Sequence, residues 1–171
     1  NGFEPTSDTI ILLLRGIYQA HTPDAVWKHS SPGDSRASLI ITHDVDSATS
    51  MEKISDFVAL EARYRAQATY FITTRYISDE KTHDYYTPYI DNIRLIMNHG
   101  SQIASHSVGH FPNFNNHNAI ALGSPGNNRH NYLPYFNGAI TVNASVFGEL
   151  EVSKSLLDTD AAANVRSFRS G

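Results

Sequence analysis

The sequence contains no cysteine, which excludes disulfides, thiolate nucleophiles and Cys-rich zinc sites. Any transition metal must therefore be held by the nine histidines and the carboxylates. Charge is scarce as well: 18% of the 171 residues are Asp, Glu, Lys or Arg, and the net charge is -4. That balance offers no electrostatic pull toward nucleic acid or an anionic membrane. Long hydrophobic runs are missing too. The longest, Ile10 to Leu14, falls far short of the roughly 20 residues a bilayer span needs. Asn1-Gly2-Phe3-Glu4 lacks the basic start of a secretory leader. What is present is a 40% hydrophobic fraction, ordinary for a globular chain and enough for one domain with a real core.

Hydrophobic patterning supplies the elements. Residues 8–20 carry Ile10, Ile11, Leu13, Leu14, Ile17 and Tyr18 at helical spacing, with Ser7 or Asp8 as N-cap. The polar stretch 21–36 reads as a connector, so residues 1–37 form an N-terminal helix and connector ahead of a main body, 38–171. Residues 38–42 are a short β-branched run that suits a strand buried on both faces. A helix over 50–65 has Ile54, Phe57, Val58 and Leu60 to bury, and 68–73 is a second strand. Thr87-Pro88 predicts the cap and first turn of a helix over 88–98, closed by His99-Gly100. Residues 102–104 are a third strand, 144–158 a helix capped by Asn143, and 165–168 a fourth strand. Alternation of strands and helices predicts an α/β fold with a parallel sheet. The segment 111–141, rich in asparagine and aromatics, breaks this rhythm and reads as an insertion near a functional site.

Three clusters follow predicted strands, the ends where parallel α/β folds bind ligands. In Thr42-His43-Asp44-Val45-Asp46 the two carboxylates are spaced i, i+2, so both can point to one side of the sheet. Acidic residues at strand ends also cap helices and terminate turns. In Ser105-His106-Ser107-Val108-Gly109-His110 two histidines at i, i+4 can share a metal, though such a pair also arises by chance in a His-rich chain. Together the clusters make a His2Asp set, a catalytic zinc pattern with positions left for water. Arg166 and Arg169 stand at the end of the last predicted strand, where an arginine can clamp a carboxylate; a surface role fits Arg166 better.

The order of these motifs resembles the polysaccharide deacetylase family, the NodB-homology carbohydrate esterases. Thr42-His43-Asp44-Val45-Asp46 is similar to the family's TFDDG motif, with one residue inserted between the acids. Residues 68–73, Ala-Thr-Tyr-Phe-Ile-Thr, resemble its ATFF-type strand, and 99–110 resemble its GHEIGNHTxxH-type segment. Residues 147–157 look like the helix that follows, and Phe168-Arg169-Ser170-Gly171 like the start of the third motif. The match runs collinearly from about residue 38 to 171.

This resemblance implies a distorted (β/α) barrel, of which the chain carries the N-terminal part, and a divalent metal cofactor, usually zinc. Carried over by position, Asp46, His106 and His110 are the metal ligands, Asp44 is the general base, and Arg169 orients Asp44. The reaction implied is amide hydrolysis, removing N-acetyl groups from a polysaccharide by metal-activated water. The partner is then an N-acetylated glycan, and an extracellular or periplasmic location goes with the family. Tyr132 and Tyr135, inside the insertion, are candidates to stack on sugar rings; pinning a long loop is their alternative role. Two departures stand out. The D-x-D spacing leaves open which acid is ligand and which is base. The family's fourth motif and its later general-acid histidine have no counterpart, so the remaining part of the catalytic domain is expected outside this sequence. The same fold hydrolysing a small cyclic amide or ureide is one alternative. A non-catalytic glycan-binding relative is another, and the retained acids and histidines count against it. Asn143-Ala144-Ser145 matches an N-glycosylation sequon, competing with the capping role of Asn143.

Overall fold

The computed structural model describes residues 5–24, 37–74, 87–111, 114, 120–137 and 140–171. The chain separates into two units, Asn1–Leu39 and Ile40–Gly171. The first contains α1 (Pro5–His21), which starts ahead of the expected caps Ser7 and Asp8, so neither caps it. Ile10, Ile11, Leu13, Leu14 and Ile17 on α1 are each more than half exposed. Most of the expected connector, residues 25–36, lies outside the described residues. Among the described residues no helix is long and apolar enough to cross a membrane.

The second unit is α/β, built on a parallel sheet ordered β1 (Thr42–Val45), β2 (Thr69–Ile72), β3 (Gln102–Ser105). Its helices are α2 (Ala48–Glu52), α3 (Ile54–Tyr64), α4 (Ile90–Asn98) and α5 (Val146–Ala161). Side-chain alternation gives the sheet two different faces. His43, Tyr70 and Ile103 stand level across the three strands, as do Val45, Ile72 and Ser105. Ile72, Tyr70, Ile103 and Val45 join Met51, Ile54, Ile93, Ile96, Val152, Leu156 and Leu157 in one core. The opposite face carries Asp44, Phe71 and Ala104 in register.

Several expectations need correction. The first strand is not 38–42 but begins at Thr42, and Leu39 and Ile40 are 83% and 85% exposed. A β-branched run is strand-like anywhere; pairing with Thr69–Ile72 is what selects Thr42–Val45. The helix over 50–65 is two helices meeting at Lys53, and Phe57 and Leu60 remain 46% and 49% exposed while Ile54 and Val58 are buried. Thr87 opens a short 3-10 turn and Tyr89 caps α4. Ser145, not Asn143, caps α5: its hydroxyl accepts the Gly148 N–H at 3.0 Å, while Asn143 sits in a left-handed turn at φ 59°. No fourth strand forms over 165–168, where a single bridge joins Phe168 to Ser105. At the end of the 111–141 segment β4 (Tyr135–Asn137) pairs antiparallel with β5 (Ile140–Val142).

Candidate metal and acid-base site

The site forms where β1 and β3 end. Backbone bonds past the strands extend the sheet by one residue: Thr73 N donates to Val45 O at 3.1 Å and His106 N to Ile72 O at 2.9 Å. The buried Thr73 hydroxyl reaches His106 O at 3.2 Å, and Thr74 N reaches Ser107 O at 3.2 Å. On the far side of β3, Ser105 N donates to Ser167 O at 3.0 Å and Arg169 N to Ser105 O at 2.9 Å. These bonds bring residues 44–46, 106–110 and 167–169 to one end of the sheet.

Arg169 is the most fully engaged of these side chains. Its guanidinium lies 4.0 Å from the centroid of the Phe71 ring, on the face that also carries Asp44. From there Nη1 donates to Asp44 Oδ1 at 2.5 Å and Nη2 to Thr42 Oγ1 at 3.2 Å. A cation so close pairs with the carboxylate and fixes its orientation. The other oxygen, Asp44 Oδ2, faces His106 Nε2 at 4.0 Å, too far for a direct hydrogen bond.

His106 is buried, and its Nδ1 lies 3.1 Å from the Arg169 carbonyl oxygen. A carbonyl can only accept, so Nδ1 carries the proton and Nε2 is left with its lone pair. Burial pushes the His106 pKa below its ordinary 6.5, against the opposing pull of the Arg169 carbonyl and Asp44. The ring is therefore neutral at pH 7, in the form that ligates metals. His110 stands edge-on to it with ring centroids 4.8 Å apart, and His110 Nε2 lies 3.7 Å from Asp46 Oδ2.

Among the described residues, no three His, Asp or Glu donors are already drawn around one point. They lie in two pairs instead, and their spacing bears on whether an ion fits. Tetrahedral zinc holds N and O donors about 2 Å away, hence roughly 3.3 Å from one another. The His110–Asp46 separation of 3.7 Å is near that value and longer than a hydrogen bond. Two imidazoles and a carboxylate, one imidazole with its tautomer set by a backbone carbonyl, make a donor set that fits a borderline-soft divalent cation. Beside Asp44 a cavity of about 420 Å³ opens, lined by Thr42, His43, Asp44, Ser47, Phe57 and Tyr70 among others.

Asp44, Asp46, His106, His110 and Arg169 thus meet at one end of the sheet, and Arg166 is exposed away from them. The two tyrosines differ. Tyr135 on β4 is 43% exposed. Tyr132 is a correction to the stacking expectation: it is buried, with its hydroxyl donating to Glu149 Oε1 at 2.6 Å and accepting Ser145 N–H at 3.0 Å. A ring packed in the core offers no face to a sugar.

Glu149 is the residue that pattern reading passed over. It is fully buried on α5, and its Oε2 accepts the N–H groups of Val108 and Gly109, both at 2.8 Å. Burial pushes its pKa from 4.5 up to about 7, although Tyr132 and the two backbone donors pull the other way. The signal was available, because Glu149 shares a helical stripe with Val152, Ser153, Leu156 and Leu157. An acid on an apolar stripe calls for buried partners.

No protein-family model, curated protein or solved structure matches this chain.

Proposed function

We propose that this chain is a metal-dependent amide hydrolase of the polysaccharide deacetylase type, acting on N-acetyl groups of a glycan. On this reading its three-stranded sheet belongs to a distorted (β/α) barrel. The observation that carries the reading is the Arg169–Asp44 contact beside the His106, His110 and Asp46 donors. It joins segments 125 residues apart in the chain.

Asp46, His106 and His110 would hold the ion. The chemistry a divalent cation supplies in such a site is polarisation of the amide carbonyl and a lowered pKa for water. The chain's own residues do the rest. Arg169 holds Asp44 Oδ1 and leaves Oδ2 facing His106, so Oδ2 is the atom that accepts the proton of the attacking water. The Arg169 carbonyl holds His106 in one tautomer, and Phe71 supports the guanidinium from below. Tyr135, partly exposed, is the tyrosine left to stack on a sugar ring.

The test is zinc content after equilibrium dialysis at neutral pH, followed by acetate release from N-acetylated oligosaccharides. About one zinc per chain is expected, lost in both His106→Ala and His110→Ala, with acetate release abolished in Asp44→Asn. A folded wild-type chain that takes up no zinc would remove the basis for this function.

A further inference from the structure

The turn between the two histidines needs outside support. Ser107 and His110 both have positive φ, 71° and 53°, a left-handed conformation that non-glycine residues adopt at a cost of roughly 1–2 kcal/mol each. Such backbone persists only where its surroundings over-determine it. The N–H groups of Val108 and Gly109 also point into the protein, Val108 being fully buried.

Both N–H groups end on one oxygen of Glu149, 41 and 40 residues further along the chain. The Ser107 side chain is another hydrogen-bond partner of that carboxylate, and its hydroxyl accepts the His110 N–H at 3.0 Å. The second Glu149 oxygen is held by Tyr132, whose hydroxyl is tied back to Ser145 at the start of α5. Gly148 makes this possible, since a Cβ there would sit 1.9 Å from Tyr132 Cε2. Among the described residues no salt bridge reaches Glu149. A buried carboxylate without a cation is expensive, and an apolar residue would serve the α5 stripe better. Apart from Tyr132, its side-chain partners are Ser107, Val108 and Gly109, all between His106 and His110.

We propose that Glu149 is a positioning residue for the cation site: it clamps the Val108–Gly109 turn so that His106 and His110 can converge on one ion. The inference rests on the metal reading above, but the clamp can be measured without metal. It requires no contact between Glu149 and the ion.

The experiment uses the full chain with Glu149→Gln and Glu149→Leu. Amide hydrogen exchange is read first in the metal-free proteins, then zinc affinity by calorimetry and the visible spectrum of the cobalt form. In Glu149→Leu, exchange at Val108 and Gly109 should accelerate by about 10-fold or more while Ile93 and Ile96 on α4 stay protected. Zinc should bind roughly 10- to 100-fold more weakly, the loss typical of an outer-shell partner. Glu149→Gln, which keeps an acceptor oxygen, should fall between Leu and wild type, and it carries the test if the Leu variant does not fold. Wild-type zinc affinity in a folded Glu149 variant, or unchanged exchange at Val108 and Gly109, overturns the proposal. If the wild type takes up no zinc but the exchange difference is present, the metal reading has failed and the clamp stands alone.

Discussion

Glu149 makes the stability of the metal-free protein depend on pH in a direction opposite to most carboxylates. Its pKa rises from 4.5 to about 7 on folding, because burial outweighs four hydrogen-bond donors. The folded state therefore holds this proton more tightly than the unfolded chain does. Its contribution is complete below pH 4.5, is lost as pH climbs through the interval to about 7, and is flat above that. At about 1.4 kcal/mol per tenfold in proton affinity, the loss comes to about 3 kcal/mol. Both protonation states are satisfied locally. Ionised, Glu149 accepts from Tyr132; protonated, it can donate to the same hydroxyl, which then turns to the Ser145 carbonyl at 3.1 Å. His106 works the other way, since its lowered pKa makes stability rise with pH in the region below 6.5. A raw stability curve mixes the two groups. The difference between wild type and Glu149→Gln isolates one of them, because glutamine has no proton to lose there. Urea unfolding followed by circular dichroism, with EDTA present, should show that difference falling by about 3 kcal/mol between roughly pH 4.5 and 7.5. A difference flat to within about 0.5 kcal/mol would mean that the donors fully offset burial, and the reasoning would be wrong.

Arg169→Ala should lower acetate release by at least about tenfold while leaving zinc affinity within a few-fold, because the guanidinium acts on Asp44 and not on the donors. Its effect on urea stability should be about 1 kcal/mol or less, as both partners of the pair are partly exposed. Gly148→Ala should destabilise the fold by about 1–3 kcal/mol by thermal or urea unfolding, since the new methyl must displace the Tyr132 ring. If it leaves both stability and zinc affinity unchanged, the packing of Tyr132 against α5 is looser than described.

Short-range signals suffice where a local rule decides the outcome. The strand at 69–72, the helix over 90–98 with its closing Gly100 at φ 90°, and the strand at 102–105 lie close to where periodicity and turn chemistry put them. They do not suffice where a distant partner decides. Leu39 and Ile40 look like a strand but have no sheet partner among the described strands, and Phe57 and Leu60 fit a helix face yet stay about half exposed, Phe57 tilted against the His43 ring. Residues 165–168 have the composition of a strand, yet Ser105 and Phe168 form only an isolated bridge.

The same division holds for the site. Sequence alone determined the chemistry on offer: with no cysteine, the candidates were carboxylates and histidines, and their places after strands set them at one end of a parallel sheet. Tertiary structure decided which of them act on each other. The contact of Arg169 with Asp44, the role of the Arg169 carbonyl in setting the His106 tautomer, and the burial of Tyr132 all depend on segments far apart in the chain. So does the anchoring of the histidine turn on Glu149. No periodicity encodes such contacts, because they form only when packing brings α5 and the 167–169 segment against β3.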